Sequence, residues 1–321
     1  MRGLVGGQNF YYSTAKIFGA QASRRLTPRK RQLAVAGFRE CGVSDRERNM
    51  TDLAGKVALI TGGGTGIGKG IAEGFAEAGM KLALAGLETA KVPYNHYDGV
   101  HLGGFSAARD VAEALGTDAM AIEADVTVPT SVKAMMAQAV ARFGRVDVVV
   151  NAAGIVTVSP IAELSEADWD ATMEVNAKGT FLVNKAAVIQ MRAQSAPEGG
   201  RIINISSISG KAGEEWLTHY CASKFAVVGF SNALAKEVAR EKITVNCICP
   251  GIVGTQMWTM LNHDLAEPGE TPEQTFARCI DVFIPQGEPQ TVADMAQMAL
   301  YLANAPHVTG QAFNVDGGSA M

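Results

Sequence analysis

The chain has 321 residues, 47% hydrophobic and 19% charged, with 35 glycines and a formal charge of −4. That apolar content excludes a disordered or fibrous chain, and the length allows one large α/β domain or two smaller ones. Residues 1–49 hold ten Lys/Arg against three acids, so the remainder carries 18 basic and 29 acidic residues and lacks the basic face that nucleic acid requires.

From Met1 to Arg39 there is no acid, while Arg2, Lys16, Arg24, Arg25, Arg29, Lys30, Arg31 and Arg39 are basic. Such a leader reads either as an organelle transit segment or as sequence upstream of a natural start at Met50. In both cases residues 1–49 stand apart from the fold, and the expected location is cytoplasmic, or an organelle matrix if the leader is a transit peptide. From Lys56 onward, short apolar runs alternate with helical stretches. The runs are Val57–Thr61, Lys81–Ala85, Met120–Ala124, Val146–Asn151, Arg201–Ser206, Thr244–Cys249 and Ala312–Val315. Between them Ile67–Ala78, Ser106–Leu115, Ser131–Phe143, Glu166–Arg192, Tyr220–Arg240 and Val292–Ala303 repeat apolar residues at three- and four-residue spacing. Unalternated strands separated by helices predict a parallel sheet covered on both faces. Residues 50–321 are therefore expected to form a single doubly wound α/β domain. No apolar run reaches the ~18 residues of a spanning helix, so no membrane is expected.

The first run passes into TGGGTGIG, Thr61 to Gly68, and a helix follows at once. Strand, glycine turn and helix N-terminus in that order suit a pyrophosphate. The spacing Gly62, Gly66, Gly68 is one residue wider than the common dinucleotide fingerprint. Tyr220 and Lys224 are four apart at the start of a helix and so share one side of it. On their own they are a structural pair, as Ser207 on its own is a capping residue. An ammonium close to a phenol favours the phenolate, however, and brings it toward general acid/base work. His219, beside the tyrosine, is read as a surface residue, and Cys221 as a packed thiol. Cys41, Cys221, Cys247, Cys249 and Cys279 form neither a disulfide framework nor a zinc pattern. His96 and His101 lie in a long loop with no third ligand spacing, so no metal is expected.

TGGGTGIG, the NAAG at Asn151–Gly154, Ser207 and YCASK at Tyr220–Lys224 together resemble the short-chain dehydrogenase/reductase family, over residues 52–321. The resemblance implies one Rossmann domain with a seven-stranded parallel sheet, a nicotinamide cofactor and no metal. It implies cofactor contacts from Gly62, Thr65, Gly66, Ile67 and Gly68. Asp125 and Val126 would lie at the adenine, Asn151, Ala153 and Gly154 at the adenosine ribose, and Pro250, Gly251, Val253 and Thr255 at the nicotinamide. Tyr220 becomes the general acid/base, Ser207 the residue that stabilises the substrate oxygen, and Lys224 a contact to the cofactor as well as to the tyrosine. Asn176 holds a water between Lys224 and solvent. The family also implies dimers and tetramers built on its two long central helices, hence a homo-oligomer, a dimer of dimers.

NAD-using relatives end the second strand with an acid, where this chain has Gly86; Glu88 stands two residues on, 20 after Gly68. No cation occurs between Gly62 and Gly68, or between Gly86 and Lys91, so NAD is expected, with NADP the alternative should the loop Thr89–Phe105 bring Lys91 or His96 to the phosphate. PGIVGTQMW resembles the acetoin/butanediol and polyol dehydrogenase branch, and Gln256–Asp281 is expected to form a mobile helical lid. The expected reaction is reversible hydride transfer between a small secondary alcohol or ketone and nicotinamide. Glu214, Glu215, Trp216 and His219 suit a small hydroxylated substrate. ITVNCICPG and GQAFNVDGG are equally similar to 3-oxoacyl-thioester reductases, which keeps that reading open. A third alternative is a cofactor-binding scaffold without catalysis.

Overall fold

The computed structural model describes residues 53–88, 104–116, 118–194 and 199–320. The expectations for the leader 1–49 and for Lys91, His96 and His101 lie outside the described residues. Strands β1 (Val57–Thr61), β2 (Lys81–Gly86), β3 (Ala119–Glu123), β4 (Val148–Asn151), β5 (Arg201–Ile205), β6 (Thr244–Pro250) and β7 (Ala312–Val315) form one sheet, ordered β3-β2-β1-β4-β5-β6-β7. Every pairing is parallel. The chain forms a doubly wound Rossmann-type domain.

Two apolar layers explain why the strands carry no polar alternation. Ala58 and Ile60 face Ile71 and Phe75 of helix α1 (Gly66–Glu77), Ala108 of α2 (Phe105–Leu115), and Met295 and Leu302 of α9 (Val292–Asn304). Val57 and Leu59 face the other way, toward Met135 of α3 (Pro129–Phe143), Val183 of α5 (Thr180–Ala193) and Val238 of α6 (Thr218–Val238). Each successive residue therefore needs an apolar side chain. Asp147 is the buried exception. It accepts from the Val57 amide at 2.9 Å and from Arg145, joining the start of β1 to the entry of β4. Leaving that amide unpaired would cost about 1–3 kcal/mol.

Strand order reverses between β1 and β4, so their carboxyl ends splay into a crevice. Thr61, at the end of β1, lies opposite Ala85 and Asn151, and Asn151 lies opposite Asn204. The long helical stretch after β4 is not one α-helix. Helix α4 (Glu166–Thr172) passes into a π-helical segment, Met173–Gly179, before α5 begins. Such segments shift the face that side chains present and recur at functional sites; this one carries Asn176. The stretch expected as a helical lid forms α7 (Gln256–Asp264) and α8 (Pro272–Phe283), joined edge to face by Trp258 and Phe276 at 5.7 Å.

Candidate active site

A cleft of about 1070 Å³ opens along the carboxyl ends of the strands. Its floor at one end is the turn after β1. Gly62 and Gly66 adopt φ of +66° and +50°, which only glycine takes at little cost. A Cβ on Gly68 would stand 2.1 Å from the Gly62 carbonyl oxygen, so the turn and helix α1 approach too closely for any side chain. Thr65, Gly66, Ile67 and Gly68 line the cleft here, with Asp125 and Val126 after β3. The Asp125 carboxylate is also held at home, accepting from the Thr127 amide at 2.8 Å and its hydroxyl at 2.6 Å.

Asn151 is buried below the cleft wall. Its Nδ2 donates to Asn204 Oδ1 at 2.7 Å, whereas its own Oδ1 is buried with no partner. Asn204 also receives Asn184 Nδ2 at 2.9 Å and donates to Ser231 Oγ at 2.8 Å, so a buried amide cluster orients Asn151. Ala153, Gly154, Pro250, Gly251, Val253 and Thr255 complete the middle of the cleft. The glycine turn and the unpaired amide oxygen fit a dinucleotide, which would offer a pyrophosphate to the first and ribose hydroxyls to the second.

Ser207, Tyr220 and Lys224 converge at the other end. Ser207 follows β5 and caps the 3-10 turn Ile208–Gly210, accepting from the Ser209 amide at 3.1 Å. Ser207 thus caps the turn and also lines the cleft. Lys224 is buried, donates to the Ile205 carbonyl at 3.1 Å and lies 5.5 Å from the Tyr220 ring centre. Burial brings its ammonium down to about 8. Tyr220 is pushed well above its usual value, first by burial, with Glu214 adding to the rise and a Ser207 hydrogen bond opposing it. Asn176 does not line the cleft. Its amide pairs with both backbone groups of Ile155 at 2.9 Å and with Ser223 Oγ at 3.0 Å. A Cβ on Gly154 would meet Asn176 Oδ1 at 3.2 Å and Lys224 Nζ at 3.5 Å, so the absent side chain leaves the space where these two groups meet.

Two residues stand elsewhere than the sequence places them. Glu88 is not part of the cleft wall. Its carboxylate accepts from the Ser106 amide at 3.2 Å and hydroxyl at 3.4 Å at the start of α2, where the helix dipole favours an anion. His219 is wholly buried, not on the surface, because the Ile155–Ser159 loop folds over it. Its Nε2 is 2.6 Å from Thr157 Oγ1, and burial lowers its pKa. Cys221 is a buried thiol raised by that burial. Glu214, Glu215, Asp264 and Glu267 bring four carboxylates to the substrate end of the cleft, against Arg278, which is paired with Glu270 at 2.8 Å. Trp216 sits among them at φ +62°, a left-handed strain of about 1–2 kcal/mol for a residue with a Cβ.

Residues 56–266 match the family described as short chain dehydrogenase. A sorbitol dehydrogenase of Cereibacter sphaeroides is 32% identical, covering 84% of this chain and 99% of that protein. A 3-oxoacyl-[acyl-carrier-protein] reductase of Synechocystis sp. is 36% identical over 85% and 100%, and a galactitol 2-dehydrogenase of Agrobacterium fabrum 33% identical over 84% and 99%. Among solved structures, a variant of actinorhodin polyketide ketoreductase with NADPH superposes with a TM-score of 0.73 at 33% identity, covering 83% of this chain and 97% of that one.

The 2.1 Å approach at Gly68 gives a direct test of the cradle. Gly68→Ala forces the turn away from α1, so dinucleotide affinity measured by fluorescence quenching should fall by at least about tenfold, roughly 1.4 kcal/mol. Unchanged affinity in a folded Gly68→Ala protein would place the dinucleotide elsewhere.

Proposed function

The chain belongs to the short-chain dehydrogenase family, an oxidoreductase family with a nicotinamide cofactor, and on that premise we propose that it interconverts small polyols or hydroxyketones using NAD. The acidic substrate end of the cleft carries the substrate choice. Four carboxylates there attract hydroxyl donors and repel the phosphate of a carrier-bound thioester, so the charge favours a polyol over a 3-oxoacyl substrate. For the cofactor, Lys224 and Arg278 are the cations lining the cleft among the described residues, and neither stands at the end of β2 where a 2′-phosphate would need one. Glu88, turned to Ser106, supports NAD only by its charge near that turn.

When bound, the nicotinamide supplies the hydride acceptor or donor. Tyr220 takes the proton from the substrate hydroxyl, and Ser207 hydrogen-bonds the oxygen as charge develops on it. Burial holds Tyr220 in its phenol form and brings the Lys224 ammonium down to about 8; a cation 5.5 Å from the ring favours the phenolate. Protons leave past Lys224 on the side where Asn176 meets it at Gly154. Glycine turn, Asp125, Val126, Asn151 and the Pro250–Thr255 stretch hold the dinucleotide. Exposed Phe181 and Ile189 on α5 and Phe225 on α6 leave apolar surface on the two long central helices, the face proposed for a dimer of dimers.

Tyr220→Phe keeps the ring and removes the proton carrier, so turnover should fall by at least ~10²-fold with dinucleotide affinity intact. A variant keeping more than a tenth of wild-type turnover contradicts the assignment. For the cofactor, kcat/KM on one alcohol should be higher with NAD than with NADP. A tenfold preference for NADP overturns that choice.

A further inference from the structure

The loop from Ile155 to Ser159 follows β4 as irregular chain, yet its residues alternate in the manner of a strand. Odd positions are tied to the protein by polar bonds. The backbone N–H and C=O of Ile155 both pair with the Asn176 amide at 2.9 Å. Thr157 Oγ1 lies 2.6 Å from His219 Nε2, and the Ser159 amide donates to the Trp216 carbonyl at 2.9 Å. Even positions are apolar. Val156 is buried and joins Tyr220 and Leu261 of α7 in one apolar cluster, with Val158 packed against it. The loop is thus a strap that sets two valines into the cluster holding the Tyr220 ring.

Two costs are met along this strap. His219 is wholly buried, and its Nδ1 has no partner among the described residues. A buried N–H without an acceptor is the rarer defect, so the imidazole proton stands on Nε2 and is given to Thr157 Oγ1, while Nδ1 keeps a bare lone pair. Burial also lowers the imidazole's pKa, which favours the neutral ring. Trp216, whose carbonyl holds Ser159, takes φ +62°. Strained backbone and unsatisfied buried groups persist where the surroundings require one geometry, and they gather at active sites. Tyr220, Ser207, Lys224 and Asn176 account for the proton and the reacting oxygen, and that scheme gives His219 no task.

We propose that His219 is a positioning residue for catalysis: its bond to Thr157 holds the strap down, and the strap holds the Tyr220 ring in the geometry that proton transfer needs. His219 acts through Thr157 and Val156 and touches no reacting atom. Without the tie, Val156 can leave the ring, and the phenol no longer keeps one place beside the reacting oxygen. A displacement of about 1 Å can cost ~10²-fold in rate. The glycine turn and Asn151 stand on other elements, so dinucleotide binding should not follow. The inference rests on Tyr220 as the acid/base of the reading above and goes beyond it.

The test uses the full chain with Thr157→Val, Thr157→Ser, His219→Gln and His219→Leu, following 2,3-butanediol oxidation, or acetoacetyl thioester reduction should the diol not react. Thr157→Val keeps the shape and removes the hydroxyl, so kcat should fall by at least about tenfold, with dinucleotide affinity as in wild type. Thr157→Ser returns the hydroxyl and should recover most of that loss. His219→Gln keeps an N–H near the place of Nε2 and should retain more activity than His219→Leu. Thr157→Val combined with His219→Leu should be no slower than the slower single variant, because both cut the same bond. The threonine variants carry the test if the histidine variants do not fold. An unchanged kcat in Thr157→Val, a loss confined to KM, an equal loss in Thr157→Ser, or losses that multiply in the double variant overturn the inference. A wild type that reduces the thioester and leaves the diol defeats the polyol reading, and the variants then decide the inference on the thioester. A wild type that turns over neither, with either dinucleotide, defeats the dehydrogenase reading and the inference with it.

Discussion

The buried ammonium of Lys224 sets the terms for the rest of the site. Removing a cation from water costs several kcal/mol even after relaxation, and here the offset among described partners is one carbonyl, that of Ile205 at 3.1 Å. Burial is what brings the lysine down to about 8, and the same burial drives Tyr220 upward. Neither group is suited to proton transfer alone. The ammonium lies 5.5 Å from the ring centre, and a cation at that place, like a cationic nicotinamide, favours the phenolate form.

Holding that pair requires the sheet. Helix α6 is fixed against β5 by Ser206 Oγ donating to the Lys224 carbonyl at 3.0 Å, and by Asn204 reaching Ser231 at 2.8 Å. The same Asn204 holds Asn151 on the neighbouring strand, so the lysine helix and the middle of the cleft share one buried polar cluster. Because every strand runs parallel, the turn after β1, the end of β4 and the serine after β5 all emerge on one edge. The cleft is then electrically divided. Its β1 end offers backbone amides and a helix N-terminus, and its far end offers carboxylates, with Arg278 held by Glu270.

Strands, most helices and the pairing of Tyr220 with Lys224 were legible in the sequence, because both faces of each strand are buried and because position i and i+4 share a helix side; Ser207 was brought to that pair only by the family resemblance. Other features left no such trace. The π-helical turn at Asn176 lies inside a continuous apolar helical pattern, and one wider turn does not disturb that pattern enough to be read. His219 looked exposed because it opens a helix, but a loop sixty residues earlier covers it with Thr157. Glu88 has the spacing of a ribose ligand, yet the start of α2 competes for its carboxylate, and that competition arises only in three dimensions. Trp216 takes a left-handed φ that its residue type gives no reason to expect.

The central claim is that burial holds Tyr220 protonated until the cations around it are complete. Titration of tyrosinate absorbance, as the difference between wild type and Tyr220→Phe, tests this with and without saturating oxidised dinucleotide. In the free protein the Tyr220 signal should appear only above pH 10, and dinucleotide should move it down by at least about one pH unit. A Tyr220 signal already present at neutral pH in the free protein, or one that dinucleotide leaves in place, would contradict the account.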